Sequence, residues 1–198
     1  MYKQCQREQS TARQRQLEQG LLKIMLKNHY DEISVSNLCD ALQIPRKSFY
    51  RYFTSKDGAL YALIDHTLMD YQVETARPEF GDYQEPLQYM TEVFSYWIAC
   101  RPLLDALQKS GLSGLLVQRA LEYAKDMDTL PSFMQITDKR LREYGTMFTV
   151  CGLMTMIVQW HHDGFSKSVE EMARLSMELF TKPLFLMNTP MELKMPSL

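Results

Sequence analysis

Residues 34–60 read SVSNLCDALQIPRKSFYRYFTSKDGAL, and their spacing predicts two short helices joined by a tight turn, then the start of a longer helix. Ser34 precedes the apolar positions Val35, Leu38 and Leu42, so its hydroxyl is placed to cap the first short helix. Gln43-Ile44-Pro45 forms the turn. Proline suits the opening of the second helix, where its missing N–H has no partner to lose. Over 45–53, Phe49 and Phe53 lie one helical turn apart and are expected to face the core with Ile44. Arg46, Lys47 and Tyr50 then share the opposite face, with Arg51 beside them. Thr54 and Asp57 have capping-box spacing, which predicts a further helix running inward through Leu60, Leu63, Ile64 and Thr67 to residue 75. Its free N–H groups, with Lys56 alongside, are suited to hold a phosphate. A solvated basic face is common on any helix, so the charges alone do not decide the reading. The pair of short helices has the outline of a helix-turn-helix, whose second helix enters the DNA major groove.

The same stretch resembles the DNA-binding domain of the tetracycline-repressor (TetR) family of bacterial transcription regulators. The shared features are the Ser-Val opening, the apolar Leu38 and Cys39, and the Phe-Tyr-Arg-Tyr-Phe-x-Ser-Lys block at 49–56. The resemblance covers residues 17–65. It implies an all-α protein, with an N-terminal three-helix helix-turn-helix DNA-binding head (residues 1–65) and an all-helical C-terminal ligand-sensing and dimerisation body (residues 66–198), acting as a homodimer. Carried over residue by residue, it makes Tyr50 and Lys56 phosphate contacts, with Ser34 often a third. Arg46, Lys47 and Ser48 become base-reaching positions of the recognition helix. Tyr52 stands where the family often has His and is a further backbone candidate. Two positions depart from the pattern. Residue 43 is usually Gly and is Gln here, which implies a mildly unfavourable turn conformation; residue 47, frequently Gly, is Lys.

Charge is distributed in keeping with a nucleic-acid end. Residues 1–65 carry ten Lys/Arg against seven Asp/Glu, a net of +3, whereas the remainder carries 12 against 17, a net of −5. Asymmetries of this size also arise by chance. The four cysteines, Cys5, Cys39, Cys100 and Cys151, lack paired spacing and read as reduced thiols, not as disulfides or zinc ligands. Residues 1–16 are polar, so no secretory leader is expected. The longest nearly uncharged apolar run, 147–160, is shorter than the roughly 20 residues a bilayer span needs. No membrane association is expected, and a cytoplasmic location is.

Before the helix-turn-helix, Leu17, Leu21, Ile24 and Met25 recur at helical steps over 10–28, with Ser10 or Thr11 as candidate cap. The preceding arm carries Lys3 and Arg7; it is either a backbone-touching arm or, more simply, a frayed solvated end. Residues 77–82 read as a loop. Pro86 then opens a helix with Met90, Val93, Phe94, Trp97 and Ile98 on one face, broken at Arg101-Pro102 and continued by Leu103, Leu104 and Leu107. A further helix is expected over 115–127, and Leu130-Pro131 separates it from the next. Met90, Phe94, Trp97, Cys100, Leu107, Leu115, Leu116, Phe148, Cys151 and Met154 are candidates to line an effector cavity, although for each taken singly ordinary core packing is the better account. The effector implied is small and largely apolar.

The longest helical pattern spans 133–162. Gly145 and Gly152 share a face with Thr149 between them, a pattern that admits close approach by another helix. Gly164 is a natural left-handed stop. Ser166 or Ser168 caps a last helix whose Val169, Met172, Ala173, Ser176, Leu179 and Phe180 form one stripe. By the resemblance, Gly145, Thr149, Gly152, Met172, Ser176 and Leu179 are candidates for a dimer seam; an intramolecular contact accounts for them equally. His161-His162-Asp163 reads as a solvated helix end, not a metal site. No phosphate-binding Gly loop, nucleophile elbow, HExxH or paired-Cys motif is present, so neither an enzyme nor a bound cofactor or metal is expected. The expected function is a ligand-responsive, sequence-specific regulator, a repressor on a pseudo-palindromic operator. The alternative is a coactivator of the same fold that works through a protein partner.

Overall fold

A computed structural model describes residues 1–5, 7–75, 86–125 and 138–181 of the chain. The predicted loop at 77–82, the break at Leu130-Pro131 and the start of the pattern at 133–137 lie outside the described residues. The architecture is all-α. It comprises α1 (Glu8–Met25), α2 (Val35–Ala41), α3 (Arg46–Tyr50), α4 (Lys56–Thr75), α5 (Pro86–Ala99), α6 (Arg101–Lys109), α7 (Ser113–Ala124), α8 (Lys139–His162) and α9 (Val169–Thr181), with a 3-10 turn at Tyr30–Glu32. Among the described residues no helix is long and apolar enough to cross a membrane.

Local chemistry sets most boundaries. The Ser34 side chain accepts the Asn37 amide at 3.1 Å, so α2 starts as expected. Asp138 caps α8 by accepting the amides of Arg140 and Leu141. Ser168 and Glu171 cap α9 reciprocally: the Ser168 hydroxyl accepts the Glu171 amide at 3.2 Å, and the Glu171 carboxylate accepts the Ser168 amide at 2.6 Å. Two capping expectations are corrected. α1 begins at Glu8 behind Arg7 with no side-chain cap, so Ser10 and Thr11 lie inside it. At α4 the cap is Ser55, whose hydroxyl accepts the Gly58 amide at 3.1 Å. Thr54 is engaged elsewhere, donating to the Met1 carbonyl at 2.7 Å, and Asp57 accepts from the Tyr30 hydroxyl at 2.7 Å.

Three helices end in the same hydrogen-bonded stop, in which the residue after the cap adopts a left-handed conformation. Gly111 (φ +67) follows α6, Gly164 (φ +72) follows α8, and Gln43 (φ +51) follows α2. At α2 the Gln43 amide donates to the Asp40 carbonyl at 3.1 Å and the Ile44 amide to the Cys39 carbonyl at 3.0 Å. Gln43 therefore holds the strained turn conformation that its position implied.

One continuous core joins head and body. Leu17, Leu21, Leu38, Phe49 and Phe53 of the head and Phe94, Trp97, Leu107 and Leu116 of the body belong to it. Most of the free energy holding helices together resides in this removal of apolar surface from water. α4 carries the connection: it packs on α1 in the head and α7 in the body, and it runs unbroken past residue 65. In the body, α9 packs chiefly on α5 and α8 chiefly on α7.

The N-terminal arm is docked, not frayed. Its backbone bridges Tyr2 to Phe53, the Lys3 amide donates to the Tyr52 carbonyl at 3.0 Å, and the Thr54 amide donates to the Met1 carbonyl at 3.1 Å. Gly58 admits it, since a Cβ there would stand 2.4 Å from the Met1 carbonyl oxygen.

Candidate nucleic-acid interface and effector cavity

α3 is five residues long and too short to persist without anchoring. The anchor is Phe49, fully buried, with Phe53 one turn on and their ring centroids 5.1 Å apart. This fixes the opposite face outward. Arg46, Lys47 and Arg51 are exposed, Ser48 is half-buried, and Tyr50 is 51% exposed with its ring edge against Phe49. None of the three cations makes an ion pair among the described residues. Unpaired, exposed cations on an anchored helix can neutralise backbone phosphates and reach base edges. Ser34, exposed at the start of α2, stands at the helix end predicted to face the backbone. Beside α2, a cleft with α1 is lined by Lys23, Lys27 and Asn37 together with the acidic Glu32; helical spacing does not single out these two lysines.

Two predicted contacts are corrected. Tyr52 is buried, at 8% exposure, and its carbonyl receives the arm, so its side chain is a core residue. Lys56 is turned inward: its ammonium donates to the Tyr30 carbonyl at 2.7 Å and sits 4.0 Å from the centre of the Tyr30 ring. With Asp57 on the Tyr30 hydroxyl, this ties the 3-10 turn to the start of α4. Burial, and then the Asp57 carboxylate, push the Tyr30 phenol above its ordinary range.

Buried polar pairs link the head to the body. Asp65 of α4 accepts from Tyr2 of the arm at 2.7 Å and from Arg119 Nε of α7 at 2.7 Å, and Arg119 also pairs with Glu122. Glu18 of α1, fully buried, accepts His66 Nδ1 of α4 at 2.9 Å. His161 corrects its sequence reading. It is buried, not solvated, and its Nε2 lies 2.7 Å from Asp105 Oδ1 on α6. A partner 56 residues away leaves no trace in helical spacing. Among the described residues no group of His, Cys, Asp and Glu could hold a metal.

The body holds a half-open, largely apolar cavity of about 440 Å³ between α4, α5, α7, α8 and α9, within the usual range for small-molecule sites. Of the predicted lining residues, Met90, Trp97, Phe148 and Met154 border it. Phe94, Leu107 and Leu116 do not; they are fully buried in the core. Cys100, Cys151 and Leu115 are half-buried and also lie off the cavity. Burial pushes the Cys100 thiol up to about 11.

The proposed seam residues fall in three places. Gly145 and Thr149 line the cavity. Gly152 faces Phe180 of α9, 3.8 Å from where its Cβ would stand. Met172 and Ser176 are buried within the protomer, because the α9 stripe packs on α5; this removes them from any subunit seam, and Leu179 is half-buried. Tyr71, Tyr89 and Tyr123, which helical spacing does not single out, also line the cavity. The Tyr71 hydroxyl donates to that of Tyr89 at 3.0 Å and the Tyr123 hydroxyl donates to Gln72 Oε1.

In fold the chain is similar to two solved structures. One is the fatty acid degradation regulator FadR from Bacillus halodurans, at 14% identity, with 87% of this chain and 96% of that one covered and a TM-score of 0.55. The other is the dihydroxyacetone kinase operon activator DhaS, at 13% identity, with 85% and 94% covered and a TM-score of 0.55. At these identities the likeness is one of fold. No protein-family model matches the sequence, and no curated protein matches it.

Proposed function

We propose that this protein is a sequence-specific DNA-binding transcription regulator of the tetracycline-repressor type, a non-enzymatic repressor that acts as a homodimer and responds to a small effector. The observation that carries the reading is the exposed Arg46, Lys47, Tyr50 and Arg51 face of α3, held rigid by Phe49 and Phe53 beneath it. Two copies would set their α3 helices in successive major grooves, reading half-sites about one helical turn apart. The fold shared with two solved regulators supports the reading.

Self-association has a candidate surface on α8. Leu141, Tyr144 and Phe148 are 62%, 77% and 73% exposed and lie on one face at helical spacing. Response to an effector runs through α4, whose Leu68, Tyr71 and Gln72 border the cavity and whose first turn is tied to the helix-turn-helix by Tyr30. An effector with higher affinity for one placement of α4 shifts the pair of heads toward or away from the groove spacing.

The test is retardation of DNA from upstream of the protein's own gene against unrelated DNA of equal length. Preferential retardation, with a footprint showing two symmetric half-sites, is the expected result. Equal weak binding to both, with capture of a protein partner, would favour the coactivator alternative.

A further inference from the structure

A threonine hydroxyl within a helix ordinarily donates back to a carbonyl one turn earlier. Thr11, Thr67, Thr91, Thr155 and Thr181 all do so, and Thr54 donates to the Met1 carbonyl. Thr146 and Thr149 of α8 do not. Neither hydroxyl has a partner among the described residues, and neither oxygen is sealed from solvent. Both residues are half-buried and line the cavity. With Val150 and Leu153, which line it too, they follow the i, i+3, i+4, i+7 spacing of one helix face. The two free hydroxyls therefore form one polar patch on the cavity wall. The rest of the lining is largely apolar, with the rings of Tyr123, Phe148 and Phe180 and the thioethers of Met90, Met154 and Met177. No Asp, Glu, Lys, Arg or His among the described residues borders the cavity. An ion entering it would shed water and gain no counter-charge from these walls.

We infer that the cavity takes an uncharged, largely apolar molecule with a hydrogen-bond acceptor at one end, a ketone, ester or amide carbonyl, to which the Thr146 and Thr149 hydroxyls donate. The apolar body of the molecule lies against the rings and the adaptable methionines. This deepens, and rests on, the reading of the cavity as an effector site. It differs from a site for a carboxylate or a phosphate ester, which is built around charged donors.

The test uses the full chain without DNA, so its outcome is separate from whether the protein regulates transcription. Three probes of similar shape are titrated by calorimetry at neutral pH. They are 2-acetylnaphthalene, the alkene in which a methylene replaces its ketone oxygen, and 2-naphthoate. The ketone is expected to bind saturably, and 2-naphthoate at least about ten-fold more weakly. Thr146→Val and Thr149→Val each remove a hydroxyl and keep the shape of the side chain. The double variant should weaken the ketone by roughly 2- to 10-fold or more and the alkene by less than about two-fold. Serine at both positions should restore the ketone. The infrared carbonyl stretch of the bound ketone should lie below its position in hexane, and the double valine variant should move it back up. If the valine variants do not fold, the three probes and the carbonyl stretch on the native protein decide. Equal weakening of ketone and alkene, or a bound carbonyl stretch as high as in hexane, would overturn the inference. So would 2-naphthoate binding as tightly as the ketone, or no ketone binding up to its solubility.

Discussion

Asp65 of α4 and Arg119 of α7 are joined by two hydrogen bonds, and the same carboxylate accepts the hydroxyl of Tyr2. Asp65 is 6% exposed, so this one buried group ties the N-terminal arm, the helix shared by head and body, and a wall of the cavity. Arg119→Ala leaves its charge without a cation, a loss of about 3 kcal/mol for a buried pair. Urea unfolding should show that loss. Hydrogen exchange at the Lys3 amide should speed up, because the arm loses its foothold. Unchanged exchange there would mean the arm is held by its backbone bonds alone.

Gln43 is the one non-glycine residue among the three left-handed helix stops. Gln43→Gly relieves a conformation that disfavours a Cβ, while the added freedom of the unfolded chain returns part of the gain. The expected balance is about 0.5–1 kcal/mol of added stability, or a rise of about 1–3 °C in Tm. Gly164→Ala should act in the opposite direction. Calorimetry of both variants checks the pair; a lowered Tm for Gln43→Gly would show that the glutamine side chain contributes more than its backbone strain removes.

Alkaline pH should destabilise the fold. Burial, then the Asp65 hydrogen bond, push the Tyr2 phenol above its ordinary value, and burial pushes the Cys100 thiol from 9.0 up to about 11. The unfolded chain gives up these protons at their ordinary values while the folded protein holds them. Folded stability is therefore fully present below pH 9 and falls as pH rises. For Cys100 the loss is on the order of 2 kcal/mol by pH 11. Unfolding midpoints measured from pH 8 upward should decline from about pH 9, and Cys100→Ala should flatten the first part of the decline.

Much of the head was legible because its determinants are local. Ser34 caps the helix that follows it, Phe49 and Phe53 are one turn apart, and Gln43 sits where the turn demands a left-handed residue. The ends of α8 and α9, at Gly164 and Ser168, are set in the same local way. The site was less legible wherever a partner comes from a distant helix. Tyr52 looked like a surface aromatic until the arm covered it. Lys56 looked like a phosphate ligand, yet it donates to the Tyr30 carbonyl. His161 found Asp105, and the α9 stripe found α5, because amphipathic spacing states that a face is covered without stating by what.

The division of roles on α3 gives separable outcomes. Tyr50→Phe should weaken binding to all DNA sequences alike, since a phosphate contact carries no sequence information. Arg46→Ala should cost about 1–3 kcal/mol on the preferred site and relax the base preference at one position. Competition with a set of single-base-changed sites distinguishes the two; identical profiles would mean that α3 does not read bases.

The central claim, that the Arg46, Lys47, Tyr50 and Arg51 face is a DNA-reading surface, is tested most directly by salt-dependent DNA affinity. Fluorescence anisotropy titrations of the upstream DNA across a range of salt concentrations compare the native protein with Arg46→Ala plus Lys47→Ala. The native protein should lose affinity steeply with salt, and the double variant should show a shallower dependence, by about 0.9 in the log–log slope per phosphate contact removed. A native affinity that is flat in salt, or a slope unchanged by removing both cations, would contradict the account.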